Sequence, residues 1–578
     1  MGKVDTSVRE LVDMVKRGEL RLPEMQRRYV WTASRVRDLL DSLYRGYPSG
    51  TILVWETDNE PPSRDLAVAQ AKNIFMTQKM LLDGQQRLTS LCAVLNGEQV
   101  TVRNRKKPIE ILFNLDHPDG PPQEVTEIED DIAPAIKNGD EESDDEAEAA
   151  EEGLSPLQKF AKRTFVVSSK QLLNSPNWIR VSDVLSDKSD WDLLSPRGLH
   201  PSESRYQKFT SRLQRLRKIK DYPYVMQVLE RGLAYEEVAE IFVRVNSLGM
   251  KLRGSDLALA QITARWKNSL KQFEAFSERF EDRWSVIEVG LLVRAMVIFA
   301  THQSRFKTVQ NISLQQMEDA WKEARKGIEF AVNFLQSNAG IEDGSLLSSP
   351  MIILAIAAFG AAKNYGLSPK EQDELRRWVL VASARGHLSR GSTETLLDQD
   401  LAIMFKDPSI EALHAQLRQQ LGRVNVEEAD FVGRGVQSPL FATAFLAFKD
   451  AGAKDWISGL GLSMHHQGKM HDIEYHHIFP KSLLAHHGYE KAQINEIANL
   501  AFISGRANRK ILNKEPKLYL PTIIAEQGEQ ALTVHGIPTD PALWELDAFP
   551  KFLEWRRKHL STLINKLLGA EEGKAANG

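Results

Sequence analysis

The stretch "HDIEYHHIFPKSLL", residues 471–484, places two adjacent histidines, His476 and His477, between an alternating segment and a proline. Alternation of apolar and polar residues over a short run predicts a half-buried β-strand. The "IFP" that follows, residues 478–480, is consistent with a strand that ends there. The stretch therefore predicts a strand that carries both histidines.

A second stretch, "INEIANLAFISGRANRKILNK" at residues 494–514, follows closely. It contains a loop that ends in "NL" at Asn499, an apolar run, and a basic segment with helical character that carries Asn508. Joined to the first strand, these elements predict a ββα unit.

Imidazole and amide side chains in this order suit the hydrolysis of a phosphodiester. That reaction needs a base to activate water and a cation to neutralise charge on the phosphate and the leaving oxygen. An imidazole suits the first task, because its pKa lies near operating pH. A second imidazole and an amide oxygen leave positions on an octahedral Mg²⁺ or Mn²⁺ open for water and phosphate oxygens. The chain has one cysteine, Cys92, so a cysteine-rich zinc site is excluded.

These residues resemble the HNH, or ββα-metal, nucleases of the branch written "HHIFP…NL…N". The resemblance implies that His477 is the general base and that His476 and Asn508 are metal ligands. It also implies that Asn499 braces the loop that orients His477. Four basic residues are expected to contact DNA phosphates, which fixes position without reading sequence. They are Lys481, Arg506, Arg509 and Lys510.

The spacing departs from that branch, since Asn499 lies 22 residues after His477 and a second pair, His486 and His487, lies between them. It stays open whether His487 replaces one of the ligands. Neighbouring strand residues point to opposite faces, so the backbone is expected to turn near His476 and His477. The alternative is that these histidines are polar surface residues.

Two stretches in the N-terminal region predict a nucleotide site. In "KMLLDGQQRLTSL", residues 79–91, a β-rich run reaches Asp83 and Gly84, and a helix follows. Glycine permits close backbone approach, a helix start offers N–H groups to an anion, and arginine binds phosphate through two N–H groups. "LPEMQRRYVW", residues 22–31, adds an amide and guanidinium groups. The alternative is that the arginines form structural salt bridges and that Trp31 packs in a core.

The order of "PEMQRRYVW", "LLDGQQRLTSL" and "IFVRVNSLGMKLRGSDL" resembles the ParB-like NTPase domain of the GmrSD family, in which that domain is fused to an HNH domain of the HHIFP type. The family comprises type IV, modification-dependent restriction enzymes and related antiphage nucleases of the cytoplasm. The resemblance implies DNA as substrate, an NTP as ligand, and Mg²⁺ at both sites. The residues it implies for nucleotide binding and hydrolysis are Gln26, Arg27, Asp83, Gln85, Gln86, Arg87, Arg244 and Asn246.

The length of 578 residues favours a multidomain fold. Patterning predicts an α+β ParB-like domain over residues 1–255, an α-helical middle over 256–425, and a C-terminal HNH domain within helices over 426–569, followed by a frayed tail at 570–578. The longest apolar run, which starts at Met351, is shorter than the ~20 residues of a membrane span, and it predicts a buried helix. Neither membrane insertion nor disulfides are therefore expected, which suits a cytoplasmic protein.

Residues 124–152 carry fourteen acidic side chains and one lysine, a local charge of −13 within a total of −4, so the rest of the chain carries +9. Dense like charge with few large apolar residues predicts a disordered insertion. It is either a solvated loop without further function or a polyanion mimic that covers a basic groove.

The leading hypothesis is an NTP-regulated, metal-dependent DNA endonuclease, in which an N-terminal domain sensitive to modified or foreign DNA gates an HNH domain through the helical middle. One alternative is a ParB-like nucleotide-switched DNA-binding protein with an inactive nuclease domain. Another is an HNH toxin that cuts RNA. The NTP, the DNA modification and the state of homo-oligomerisation stay open at this stage.

Overall fold

The computed structural model describes most of the chain. The described residues are 2–24, 31–57, 63–64, 66, 79–98, 108–120, 160–248, 254–389, 391–466, 468 and 470–569. Gln26, Arg27, the acidic segment 124–152 and the tail 570–578 lie outside them, so the expectations for these residues stay predictions.

The described residues form two compact units, divided after Leu270. The first unit holds the N-terminal strands and helices, and the second runs from Lys271 towards the C-terminus. The helical middle and the C-terminal segment, which the sequence suggests as separate regions, lie together in the second unit.

The described strands of the first unit are β1 (Gly2–Ser7), β2 (Leu20–Pro23), β3 (Ile52–Glu56), β4 (Ser63–Arg64), β5 (Lys79–Asp83), β6 (Ile111–Asn114), β7 (Phe165–Val167), β8 (Trp178–Arg180) and β9 (Pro223–Leu229). Its described helices are α1 (Val8–Lys16), α2 (Ala33–Arg45), α3 (Gln85–Leu95), α4 (Lys170–Leu173), α5 (Val181–Leu185), α6 (Asp190–Leu194), α7 (Ser204–Arg217), α8 (Tyr235–Leu248) and α9 (Gly254–Arg265).

A six-stranded mixed sheet organises the first unit, with the strand order β1-β9-β3-β5-β2-β4. The β9–β3 and β5–β2 pairs are parallel and the other neighbours are antiparallel. A second sheet, β7-β6-β8, is antiparallel throughout. Strands and helices in one unit agree with the mixed α and β class that the sequence predicts.

Side-chain alternation along β5 explains why helices cover both faces of the large sheet. Leu81 lies in the core formed with α1, α2 and α3. Its neighbours Met80 and Leu82 lie in a second core with Val238 and Phe242 of α8. Because successive residues of a strand point to opposite faces, the apolar run before Asp83 is buried on both sides.

The second unit is mainly helical. Its described helices are α10 (Ser269–Glu278, which begins at the boundary), α11 (Val289–Thr301), α12 (Leu314–Ser337), α13 (Met351–Ala362), α14 (Pro369–Arg385), α15 (Thr393–Lys406), α16 (Ile410–Leu421), α17 (Pro439–Asp450), α18 (Lys481–His486), α19 (Lys491–Ile494), α20 (Gly505–Ile511), α21 (Pro516–Gln527), α22 (Gln530–Thr533) and α23 (Phe549–Leu567). Its described strands are β10 (Ile473–His477) and β11 (Leu500–Ser504).

The apolar run from Met351 forms helix α13, of which nine residues, Ile352 to Gly360, are buried. The prediction of a buried helix there is confirmed. Among the described residues, no helix has the length and apolar character needed to cross a bilayer.

Strands β10 and β11 pair antiparallel, and α20 begins directly after β11. His476 faces Ala501 and His477 faces Leu500 in the register. Ser504 ends β11 and caps the helix, since its hydroxyl accepts a hydrogen bond from the backbone N–H of Ala507. The strand, strand and helix thus follow each other in the order that the sequence predicts.

Candidate functional site

His476 of β10 and Asn508 of α20 are in contact in the second unit. Nδ1 of His476 lies 2.8 Å from Oδ1 of Asn508. The amide is oriented from its other end, because its Nδ2 donates to Oε2 of Glu474 at 2.9 Å. Glu474 stands two residues before His476 on β10, and residues i and i+2 of a strand share a face. The carboxylate thereby turns the amide oxygen towards the imidazole.

With the proton of the neutral His476 ring on Nε2, so that Nδ1 holds the free lone pair, this pair fits two neighbouring ligands of a divalent cation. Ligand atoms at about 2.0–2.1 Å from an octahedral Mg²⁺ stand about 3 Å apart when they are adjacent, and the two donor atoms are 2.8 Å apart. No group of three or more His, Cys, Asp and Glu side chains suited to a metal occurs in the described part of the chain. A cation here would thus complete its shell with water or substrate oxygens.

The electrostatics keep the ring of His476 neutral. Burial lowers its pKa to about 4, which the hydrogen bond to Asn508 opposes only in part. A neutral imidazole is the form that binds metals. Its second nitrogen, Nε2, is buried without a hydrogen-bond partner among the described residues. The rings of Trp456 and Tyr519 pack edge-to-face against the imidazole.

His477 lies on the opposite face of β10 and has different partners. Its Nε2 is 3.1 Å from Oδ1 of Asn495, and its ring lies beside Tyr475, which shares its face. Burial, together with the positive charge of Lys481, lowers the pKa of His477 to about 3. The imidazole is therefore neutral and able to accept a proton.

Asn499 is fully buried and holds the backbone that follows His477. Its Oδ1 accepts from the N–H of Phe479 at 2.9 Å, and its Nδ2 donates to the carbonyls of Phe479 at 3.1 Å and Ile494 at 2.9 Å. The backbone N–H of Ile478 donates to the carbonyl of Asn499. These bonds fix the bend that ends β10.

The sequence predicts a turn near His476 and His477, and the chain turns directly after them. Both histidines belong to regular strand, and the chain turns over Ile478 and Phe479. The strand continues through His477 because that residue still pairs with Leu500. Alternation along β10 therefore points His476 and His477 to opposite faces.

The neighbouring pair His486 and His487 lies at the exposed end of α18. Nδ1 of His487 bonds the carbonyl of Leu483 within the same helical turn. This contact holds the ring against its own helix, and the structure records no contact between it and His476 or Asn508.

The four basic residues of the sequence prediction lie on α18 and α20. Lys481 begins α18 and is half-buried, and Arg506, Arg509 and Lys510 of α20 are exposed.

Two residues of this site were missed at the sequence level. Glu474 could have been found, because the period of two places it on the face of His476. Asn495 had no such signal, since it lies 18 residues from His477 in sequence and only the folded loop brings the two together.

The second group of candidate residues lies in the first unit, at the turn from β5 to α3. Nη2 of Arg87 donates to Oδ2 of Asp83 at 3.1 Å and to the carbonyl of Thr51 at 2.8 Å, and Nη1 donates to the carbonyl of Ser49 at 2.5 Å. Gly84 is the N-cap residue of α3 and has a φ of 97°. Because glycine has no side chain, the N-cap residue makes no side-chain hydrogen bond to the first turn. Arg87 therefore holds the loop at Ser49–Thr51 against the start of the helix.

The other residues proposed for the nucleotide site are only partly described. Gln85 is buried and Gln86 is half-buried in the first turn of α3. Arg244 is exposed on α8, where it pairs with Glu240 of the same helix. Asn246 lies on α8, but its side chain is outside the described part of the structure, as are Gln26 and Arg27.

Gly50 tests the packing of Arg87. Its φ is 92°, and a Cβ at this position would collide with Nη1 of Arg87. We expect Gly50→Ala to lower the free energy of unfolding by about 1–2 kcal/mol through left-handed strain and by a further amount of about 1–3 kcal/mol through overpacking. Gly120→Ala is the matched control, with a φ of 95° and open space around the Cβ. Equal losses in urea unfolding would show that the guanidinium moves aside freely.

Comparison with known proteins adds the family context. The chain is 24% identical to a protein of Methanocaldococcus jannaschii described as uncharacterized, and the alignment covers 91% of this chain and 88% of the relative. That alignment therefore extends over both units. Residues 8–263 match the family model described as the N-terminal domain of the GmrSD restriction endonuclease, and this similarity of the first unit supports a restriction-type nuclease function.

Proposed function

We propose that the protein is an NTP-regulated, metal-dependent DNA endonuclease, with an HNH active site at β10, β11 and α20. The observation that carries the proposal is the approach of Nδ1 of His476 to Oδ1 of Asn508 at 2.8 Å, one residue from the half-buried imidazole of His477. The similarity of residues 8–263 to a restriction endonuclease domain supports DNA as the substrate.

In this proposal, His476 and Asn508 hold Mg²⁺ or Mn²⁺, and Glu474 orients the amide of Asn508. The bound cation would supply charge neutralisation at the scissile phosphate and the leaving oxygen. His477 takes a proton from the attacking water, because its neutral ring has a free lone pair on one nitrogen. An anionic phosphate beside the ring favours the protonated imidazolium, which offsets part of the effect of burial once substrate is bound.

Basic side chains beside these residues support the binding of a polyanion. Arg506, Arg509 and Lys510 project from α20, and Lys481 begins the helix that follows His477. In the proposal they contact phosphates along the duplex, a type of contact that positions the substrate without selecting sequence.

The nucleotide site is proposed at the β5–α3 turn of the first unit, with Asp83, Gln85, Gln86 and Arg87, together with Gln26, Arg27, Arg244 and Asn246. The uncapped start of α3 supports anion binding there, because the first N–H groups of a helix favour negative charge. Arg87 also bonds the carbonyls of Ser49 and Thr51. Nucleotide binding at the β5–α3 turn would therefore affect the position of the Ser49–Thr51 loop.

One assay tests the proposed function. Purified protein is incubated with unmodified plasmid, with plasmid carrying modified cytosines and with RNA, each with and without Mg²⁺ and each NTP. We expect DNA cleavage that EDTA abolishes and that changes on NTP addition. Binding of DNA without cleavage under every condition would favour the nucleotide-switched binding protein, and cleavage of RNA alone would favour the toxin.

A further inference from the structure

The partner of His477 determines which of its ring nitrogens can act. An amide oxygen only accepts hydrogen bonds, so Oδ1 of Asn495 at 3.1 Å requires that Nε2 of His477 carries the proton. In a neutral imidazole the other nitrogen, Nδ1, then holds the free lone pair. Asn495 thus selects one of the two tautomers.

The residue next to Asn495 anchors it to the last helix. Glu496 is fully buried, and its carboxylate accepts from Nε of Arg557 at 2.6 Å and from Nη2 of Arg557 at 2.8 Å. The same carboxylate accepts from the backbone N–H of Gly433 at 3.0 Å. A bidentate guanidinium pair is stronger and more directional than a single contact, so the backbone at Asn495 is held from two sides.

The backbone beyond Glu496 is held by a second arginine of the same helix. Arg556 is fully buried and donates to the carbonyls of Ala498 at 3.0 Å and Leu500 at 2.5 Å, on either side of Asn499. Asn499 in turn bonds the carbonyl of Ile494. The segment from Ile494 to Leu500 is therefore fixed along its length, and it presents the amide of Asn495 to the ring of His477.

We propose that Asn495 is a positioning residue for the nuclease reaction, which holds His477 in the Nε2–H tautomer so that Nδ1 receives the proton of the attacking water. The inference rests on the proposed role of His477 as the base and adds a residue that the histidine and asparagine motif does not contain. It also gives the pair of buried Glu496 and half-buried Arg557 a role beyond stability, since that pair holds the backbone next to the amide.

The test compares three variants of the full chain in Mg²⁺-dependent DNA cleavage. Asn495→Ala removes the acceptor, and we expect kcat to fall by about 10²-fold or more, within the range for a misaligned general base, with KM nearly unchanged. Asn495→Asp keeps an acceptor oxygen at the same place and should recover most of kcat. Asn338→Ala is the matched control, because it removes a half-buried amide that contacts Gln372 elsewhere in the second unit.

A direct readout separates positioning from stability. In protein labelled with ¹⁵N-histidine, the signals lost in His477→Ala assign His477, and its ¹⁵N shifts report which nitrogen carries the proton. We expect the Nε2–H form in the wild type and in Asn495→Asp, and a mixture of tautomers in Asn495→Ala. Predominance of the Nδ1–H form in the wild type would overturn the inference.

The outcomes also separate this inference from the proposed function. If the wild type cuts DNA and His477→Ala does not, unchanged kcat in Asn495→Ala overturns the positioning role alone. If the wild type cuts no nucleic acid with Mg²⁺ and any NTP, the proposed function fails, and the ¹⁵N spectrum still decides the tautomer.

Discussion

Replacing His477 with alanine is expected to lower the rate of DNA cleavage by about 10²–10⁴-fold, the usual contribution of a general base. The imidazole is neutral in the folded protein, because burial and nearby positive charge lower its pKa to about 3. In the proposed mechanism its removal leaves the attacking water without a proton acceptor, whereas the proposed metal ligands His476 and Asn508 stay in place on the other face of the strand. Initial rates of plasmid nicking with saturating Mg²⁺ measure the effect.

His487→Ala is the matched control for this substitution. It removes an imidazole ten residues away that is exposed and bonds only the carbonyl of Leu483 in the described contacts. We expect its cleavage rate to stay within about twofold of the wild type, since surface substitutions change stability little. A His477→Ala protein that cuts at the wild-type rate would refute the role of His477, and a large loss in His487→Ala would return that residue to the list of ligands.

Arg557→Ala is expected to lower the free energy of unfolding by about 3–5 kcal/mol, the usual cost of removing one partner of a buried ion pair. The carboxylate of Glu496 is fully buried and would keep only the N–H of Gly433 among its described partners. An uncompensated charge in a low dielectric is costly. Urea unfolding of the full chain, followed by tryptophan fluorescence, would record the loss in the transition of the second unit.

Lys370→Ala provides the comparison for this loss. Its ion pair with Glu411 has the same kind of charges, but the two side chains are 75% and 64% exposed. Exposed pairs contribute about 0–1 kcal/mol, so only a small change is expected. The double variant Glu496→Gln/Arg557→Ala should recover part of the stability that Arg557→Ala loses, because it removes the buried charge. A loss of less than about 1 kcal/mol in Arg557→Ala would show that water reaches Glu496.

The parts of the fold that follow local periodicity could be predicted from the sequence. Alternation marked the strand that carries His476 and His477, and a continuous apolar run marked the buried helix at Met351–Ala362. Asp83 and Gly84 marked the end of β5 and the start of a helix. These predictions rest on side-chain period and backbone freedom, which act over a few residues.

The candidate site could be predicted only in part, because contacts between residues that are distant in sequence depend on the tertiary fold. His476, Asn499 and Asn508 form a motif that stands out in sequence, and the structure brings His476 to Asn508 through the pairing of β10 with β11. The role of Arg87 could not be deduced, because its partners Ser49 and Thr51 lie more than 35 residues away. Every residue has a backbone carbonyl, so the residue types in the sequence do not show which carbonyls a guanidinium will bond.

The sequence by itself therefore determined the order of elements and the residues that we propose for phosphodiester chemistry, because strand alternation, turn residues and side-chain chemistry are local properties. Only the tertiary structure decided which atoms face each other. It paired His476 with Asn508 and Asn508 with Glu474. It also paired His477 with Asn495, and Glu496 with Arg557 of the last helix. Those contacts join residues up to 61 positions apart, and such distances are set by packing of whole elements.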